Sequence, residues 1–260
     1  MPLQTQPLGS ALKTLALLEA IAESGSGVRI SDLARRVGAL RGTVYQQLVT
    51  LVAAGWMERR EDGTYCLTLR AARIGHAALE QASLGERVIP NMERLAAELS
   101  HTVSLAIADR DAALIVQRVE PGRVLRSDLR VGTRMPMARS ASGRVLAAFA
   151  TGEELAAMRT DGVSIPAEAD LKAIRARRYE VSNSGSFQGI MAVAVPIFAA
   201  DRRCLAALSV SSHAGDLDVQ HVANALRFHA RDISRMVSGQ RTADFDAEHG
   251  TTEARSGATA

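Results

Sequence analysis

Residues 31–60 read SDLARRVGALRGTVYQQLVTLVAAGWMERR. Two readings compete for this stretch: a device that reads DNA, or two amphipathic helices whose arginines face water. Ser31 opens a short helix with Asp32 in its first turn, where a negative charge suits the helix dipole. Leu33, Ala34 and Val37 turn inward, and Gly38 ends the helix. A second helix runs from about Arg41 to Ala53, with Val44, Leu48, Leu51 and Val52 as its apolar stripe. Three features favour DNA. The glycine turn between the helices has the length of a helix-turn-helix connection. The wet side of the second helix is Arg41, Thr43, Gln46 and Gln47 with Tyr45, all able to hydrogen-bond phosphates or base edges. Residues 29–60 carry arginines at 29, 35, 36, 41, 59 and 60 against only Asp32 and Glu58, a local excess that duplex DNA attracts through counterion release.

Working outward, Ser10 is a plausible N-cap for a helix through about Glu23, with Leu12, Leu15, Leu18 and Ile21 on one face. The SGSG at 24–27 breaks it. On the other side, GWMERREDGTYCL pairs Trp56 and Met57 with Tyr65 and Leu67 across an Asp62-Gly63 turn, which predicts a hairpin. Three helices followed by a basic hairpin is the order of a winged helix-turn-helix. The text from Ala71 to about Ser83 is helical and suits a linker, and 85–100 is a further amphipathic helix. Strand-like runs follow at 102–108, 113–120 and 124–131, then helical stretches at 142–150, 152–159 and about 167–178. Runs at 190–199 and 204–212 read as two strands joined by a turn at Asp201, and a long helix from about 218 to 237 closes the fold. The expected organisation is α+β: a flexible 1–9, a winged helix-turn-helix domain over 10–70, a linker helix over 71–83, a mainly antiparallel domain over 84–239, and a disordered tail over 240–260.

The bulk composition restricts function further. Of the residues, 47% are hydrophobic and 23% charged, and the net charge is only +3, so nucleic-acid binding must rest on local clustering. Cys66 and Cys204 lack partners at metal-ligand spacing. The start MPLQTQPLGS has no signal-peptide pattern, and the apolar run 190–200 falls short of the roughly 20 residues a membrane span needs. A cytoplasmic protein without membrane contact, cofactor or metal is expected.

The stretches ALKTLALLEAIAES (11–24), the continuous run 30–75, RVGTRMPMARSASGRVLAAF (130–149) and QGIMAVAVPIFAADRRCLAALSVSS (188–212), in that order and spacing, resemble the IclR (isocitrate lyase regulator) family of bacterial transcription factors over about residues 9–238. The resemblance implies a winged-helix DNA-binding domain, a linker helix and a GAF-like effector-binding domain that takes a small metabolite. It also implies a homodimer or homotetramer on a palindromic double-stranded operator, which fits the few base pairs that one recognition helix covers. DNA contacts are then implied at Arg35, Arg36, Arg41, Gly42, Thr43, Tyr45, Gln46, Gln47, Arg59 and Arg60. The effector pocket is implied at Leu125, Leu129, Met135, Ala141, Ser142, Ser182, Ile190, Ala192, Ser209 and Ser211. Two departures stand out. Leu40 occupies a place where many members have proline, with Gly42 following in the first turn. Ser182 and Ala192 stand where members that bind small oxo-acids often carry an acidic residue and a cysteine. Arg126, Arg130, Arg134 and Arg139 crowd the segment beside the pocket and offer a partner for a carboxylate, or are surface and interface charges.

Catalysis is weakly supported. Ser209, His213 and Asp216 are near in sequence, but the nucleophile elbow is missing, because GSFQG (185–189) places its serine one position early. No phosphate loop or dinucleotide fingerprint occurs, and His76, His101, His221 and His229 fall on helical text where surface or capping roles are commonest. A non-enzymatic regulator is expected. The alternative is a DNA-binding adaptor whose second domain serves only oligomerisation or partner binding.

Overall fold

The computed structural model describes residues 6–121, 129–183, 189–213 and 215–239. It divides into two units, one ending at Gln81 and the other beginning at Ala82.

The first unit contains α1 (Gly9–Ala22), α2 (Ile30–Arg36), α3 (Arg41–Ala53), β1 (Met57–Arg59), β2 (Tyr65–Leu67) and α4 (Arg70–Gln81). Its core is Leu17, Ile21, Val28, Leu33, Val44, Leu48, Leu51, Met57 and Tyr65. Helix α1 starts one residue before Ser10, and its N-cap, Leu8, makes no side-chain cap bond. Ser10 therefore lies within the first turn, where its carbonyl accepts from the Thr14 hydroxyl. The buried positions of α1 are Leu17, Ala20 and Ile21, whereas Leu12 and Leu15 are 56% and 54% exposed. The unit's core meets only the last turns of this helix, so the apolar stripe read from periodicity runs out beyond it.

On α3 the buried residues Val44, Leu48 and Leu51 follow i, i+4, i+7. Val52, read as part of the same stripe, is 38% exposed, because its neighbour's rotation of about 100° carries it off that face. Gly38 adopts φ +62°, and the Ala39 N–H donates back to Ala34 O while Gly38 N–H donates to Arg35 O. This left-handed ending reverses the chain between α2 and α3 and satisfies carbonyls at the end of α2. The hairpin pairs Met57 with Leu67 and Arg59 with Tyr65. A bridge from Val28 to Tyr65 adds a third extended segment.

The second unit begins with a short 3-10 turn (Glu86–Val88). It continues through α5 (Ile89–Leu99), β3 (Thr102–Asp109), β4 (Ala112–Val119), β5 (Arg134–Pro136), α6 (Ala141–Phe149), α7 (Gly152–Thr160), α8 (Glu168–Arg177), β6 (Glu180–Asn183), β7 (Ile190–Phe198), β8 (Cys204–His213) and α9 (Val219–Val237). The strands form one antiparallel sheet in the order β5-β4-β3-β8-β7-β6. Most of the strand expected at 124–131 lies outside the described residues. Leu129–Val131 is not strand, and the partner of β4 is β5 instead.

Helices α5 and α9 pack against β3, β4, β7 and β8. On the other face, Ala106, Ala113, Ile115, Ala194 and Ala207 share a core with Val145, Leu146, Leu155, Met158, Leu171 and Ile174 of α6, α7 and α8. Gly143 makes the close approach of α6 possible, since a Cβ there would lie 2.7 Å from Met137 Cα and from Pro136 O. His229 departs from the surface role expected of it. It is buried, with Nδ1 2.5 Å from Asn91 Oδ1 and Nε2 3.1 Å from Glu98 Oε2, because it falls on the face of α9 that meets α5.

Candidate functional site

The first unit presents a polar surface on α3. Arg41, Gly42, Thr43, Tyr45 and Gln46 are exposed and Gln47 is half-buried. Leu40 is the N-cap, extended at φ −66° and ψ 139°, with no side-chain bond to the free N–H groups of the first turn. Those N–H groups carry the positive end of the helix dipole. Arg59 and Arg60 are exposed at the hairpin. The hairpin tip is held by Asp62, whose Oδ1 accepts from Thr64 N–H at 2.9 Å and from Thr64 Oγ1 at 2.6 Å. These bonds, aided by Arg60 and Arg29, hold the Asp62 carboxyl below the ordinary carboxylate range. Gly63 closes the turn at φ +78°, its N–H donating to Arg60 O.

The two arginines of α2 are engaged differently. Arg35 pairs with Asp32 at 2.6 Å on the surface. Arg36 donates to Ser24 Oγ at 2.6 Å and to Ala20 O at 3.3 Å, tying α2 to the end of α1. Arg70 donates to Ala54 O and stacks over Trp56, which anchors the start of α4 to the end of α3.

In the second unit, the strand registers set out the face beneath α6 in rows. One row runs Thr102, Ser211, Ala192, Ser182. The next runs Arg118, Ser104, Ser209, Ala194, Glu180. A third contains Ile115, Ala106, Ala207 and Pro196. The first two rows form a floor of side chains no larger than threonine, ending in a charged residue at each side of the second row.

Of the sequence-predicted pocket residues, Leu129, Met135 and Ala141 join the same buried cluster, with Ala192 packed against it. Ser142 is buried at the start of α6. Ile190 pairs with His213 at the open end of β7. Ser209 is buried and donates to Ser104 O at 3.3 Å, and half-buried Ser211 shares its face. Ser182 donates to Arg139 O at 2.7 Å, linking β6 to the loop before α6. Leu125 lies outside the described residues, as does Arg126.

Of the remaining arginines beside the pocket, Arg130 and Arg139 are exposed. Arg134 is held by Asp109 and Asp111 at the β3–β4 turn. Burial works against its charge, but the hydrogen bonds it donates to both carboxylates, and their negative charge, outweigh burial and raise its pKa.

Sequence reasoning did not single out Thr102, Ser104 or Arg118. The Arg118 side chain is 6% exposed, with Nε 3.0 Å from Glu120 Oε1 and Nη1 3.5 Å from Ser104 Oγ. At the opposite end of that row, buried Glu180 accepts from Arg177 at 2.6 Å and pairs with Arg144 at 3.3 Å. Among the described residues no cluster of three His, Cys, Asp or Glu is placed to hold a metal ion. Burial pushes the Cys204 thiol up to about 12, so it is unreactive near neutrality. No helix among the described residues is long and apolar enough to cross a membrane.

Two family models match: an IclR helix-turn-helix domain over residues 10–61 and a bacterial transcriptional regulator IclR C-terminal domain over 76–235. The transcriptional regulator BhcR of Paracoccus denitrificans is 30% identical over 237 residues, covering 85% of each chain. An IclR-type transcriptional regulator from Alicyclobacillus acidocaldarius has a similar structure, with TM-score 0.77 and 22% identity over 89% of this chain and 100% of its own. A Microbacterium hydrocarbonoxydans IclR homolog, solved in complex with 4-hydroxybenzoate, gives TM-score 0.73 and 22% identity, covering 89% of this chain and 100% of its own.

Proposed function

The chain belongs to the IclR family of bacterial transcriptional regulators, and from that premise we propose that it is a ligand-responsive regulator that binds operator DNA as a homodimer or homotetramer. The effector is a small carboxylate held on the floor beneath α6. The observation that carries the DNA half is the outward face of α3, where Arg41, Thr43, Tyr45 and Gln46 stand exposed beside an arginine-bearing wing. Arginine and glutamine on such a helix discriminate bases through paired donors and acceptors in the major groove. Arg35, Arg59 and Arg60 supply phosphate contacts, which fix register without reading sequence.

Oligomerisation follows from reach and from surface. One 13-residue helix spans a single half-site, and two-fold pairing doubles it. Leu8 at the N-cap of α1, Leu12 and Leu15 on it, and Leu69 and Ile74 at α4 are exposed in the single chain, apolar surface of the kind a second copy covers.

The test is a titration of footprinted operator by fluorescence anisotropy with Arg41→Ala and Gln46→Ala. Each is expected to weaken specific binding by about 1–3 kcal/mol while leaving the size-exclusion profile unchanged. Unchanged operator affinity in both would place the reading surface elsewhere.

A further inference from the structure

We infer that Arg118 captures the effector's carboxylate and that Glu120 is the internal carboxylate it displaces. This rests on the reading of the α6 face as the effector floor. Arg118 stands at one end of the row that continues through Ser104, Ser209 and Ala194. A guanidinium with a side chain 6% exposed needs a counter-ion. One of its partners, the Glu120 carboxylate, is 52% exposed, so Glu120 leaves for water at little cost. An incoming carboxylate then takes over the charge-assisted bonds, which a planar guanidinium makes in pairs. Ser104 Oγ, 3.5 Å from Nη1, is a further polar neighbour for the incoming group.

Two other guanidiniums near the floor cannot make this exchange on the same terms. Arg144 pairs with Glu180, whose side chain is only 5% exposed, and removing it would strip charge from a buried carboxylate. Arg134 is held by two aspartates at the far end of β4.

The geometry also limits the ligand. Three strand spacings separate β4 from β7, roughly 14 Å at about 4.8 Å each. The Arg118 side chain takes part of this distance, so an effector reaching from its guanidinium toward β7 is no longer than one ring or a short chain. At the far end of the row Glu180 is already paired with both Arg144 and Arg177. The floor therefore suits a monocarboxylate with a neutral far end.

Calorimetric titration of the full chain with benzoate, 4-hydroxybenzoate, phenylacetate and propionate, each beside its primary amide, tests this. Wild type is expected to take an acid and refuse its amide. Arg118→Gln should weaken the acid about tenfold or more, Arg118→Lys less, and Glu120→Gln should tighten it by removing the competitor. Thermal melts report folding, and if Arg118→Gln does not fold, the Lys and Glu120 variants carry the result. Equal binding in wild type and Arg118→Gln overturns the role of Arg118 and leaves the effector site standing. Loss of affinity in Glu120→Gln matching that in Arg118→Gln also overturns it, since a purely structural ion pair behaves so. Wild type that takes amides as well as acids, or none of either, overturns the carboxylate reading itself.

Discussion

At the scale of single residues, Gly42 is the most informative position on α3. It lies in the first turn, and a Cβ added there meets nothing within 4 Å. Alanine is therefore expected to stabilise the helix by up to about 1 kcal/mol. For a domain of this size that is a rise in melting temperature of roughly 4–8 °C by calorimetry on the isolated protein. A lower melting temperature would show that the glycine is needed for the folded first turn. The residue scale is also where sequence reading was weakest. Arg36 is expected at a phosphate or in solvent, and the structure adds bonds to Ser24 and Ala20, a tie between segments that no local pattern announces. Arg118 escaped notice for a reason of register. Alternation from Ile115 would place Gln117 on the same face, but the β3–β4 pairing shifts between Leu105 and Ala106. The one-residue bulge moves Arg118 onto the face of Ile115 instead.

Among the elements, the hairpin was legible because its turn chemistry is local. Asp-Gly between alternating apolar residues predicts it, and Asp62 and Gly63 perform the roles expected of such a turn. Its stability carries a pH signature. The folded-state pKa of Asp62 is lowered through its bonds to Thr64, so its contribution is fully present above the ordinary carboxylate value of about 3.9. It is lost as pH falls through the lowered value. Amide exchange at Thr64 N–H, corrected for intrinsic rates, should show protection that declines over that acid window in wild type. In Asp62→Asn the decline should be absent, and a decline identical in both would remove Asp62 from the account. The element boundaries of α3, β7 and β8 were similarly readable from periodicity. Strand β5 was not, because its partner is set by register with β4, and the exposure of the outer half of α1 was not, because periodicity does not show where the core ends.

For the whole molecule, the order of elements carried the assignment: three helices, a hairpin, a helix and then the α+β unit. The residues proposed to read DNA lie in the first unit and those proposed to line the floor in the second. An effector changes operator affinity only if it binds two states of the protein unequally, and the coupling is reciprocal. The most direct measurement is an anisotropy titration of operator DNA with the full chain at fixed salt, with and without a saturating acid from the calorimetric panel. The account predicts that the acid shifts the operator dissociation constant by about 5–150-fold. Superimposable isotherms from a protein that demonstrably holds the acid would contradict it.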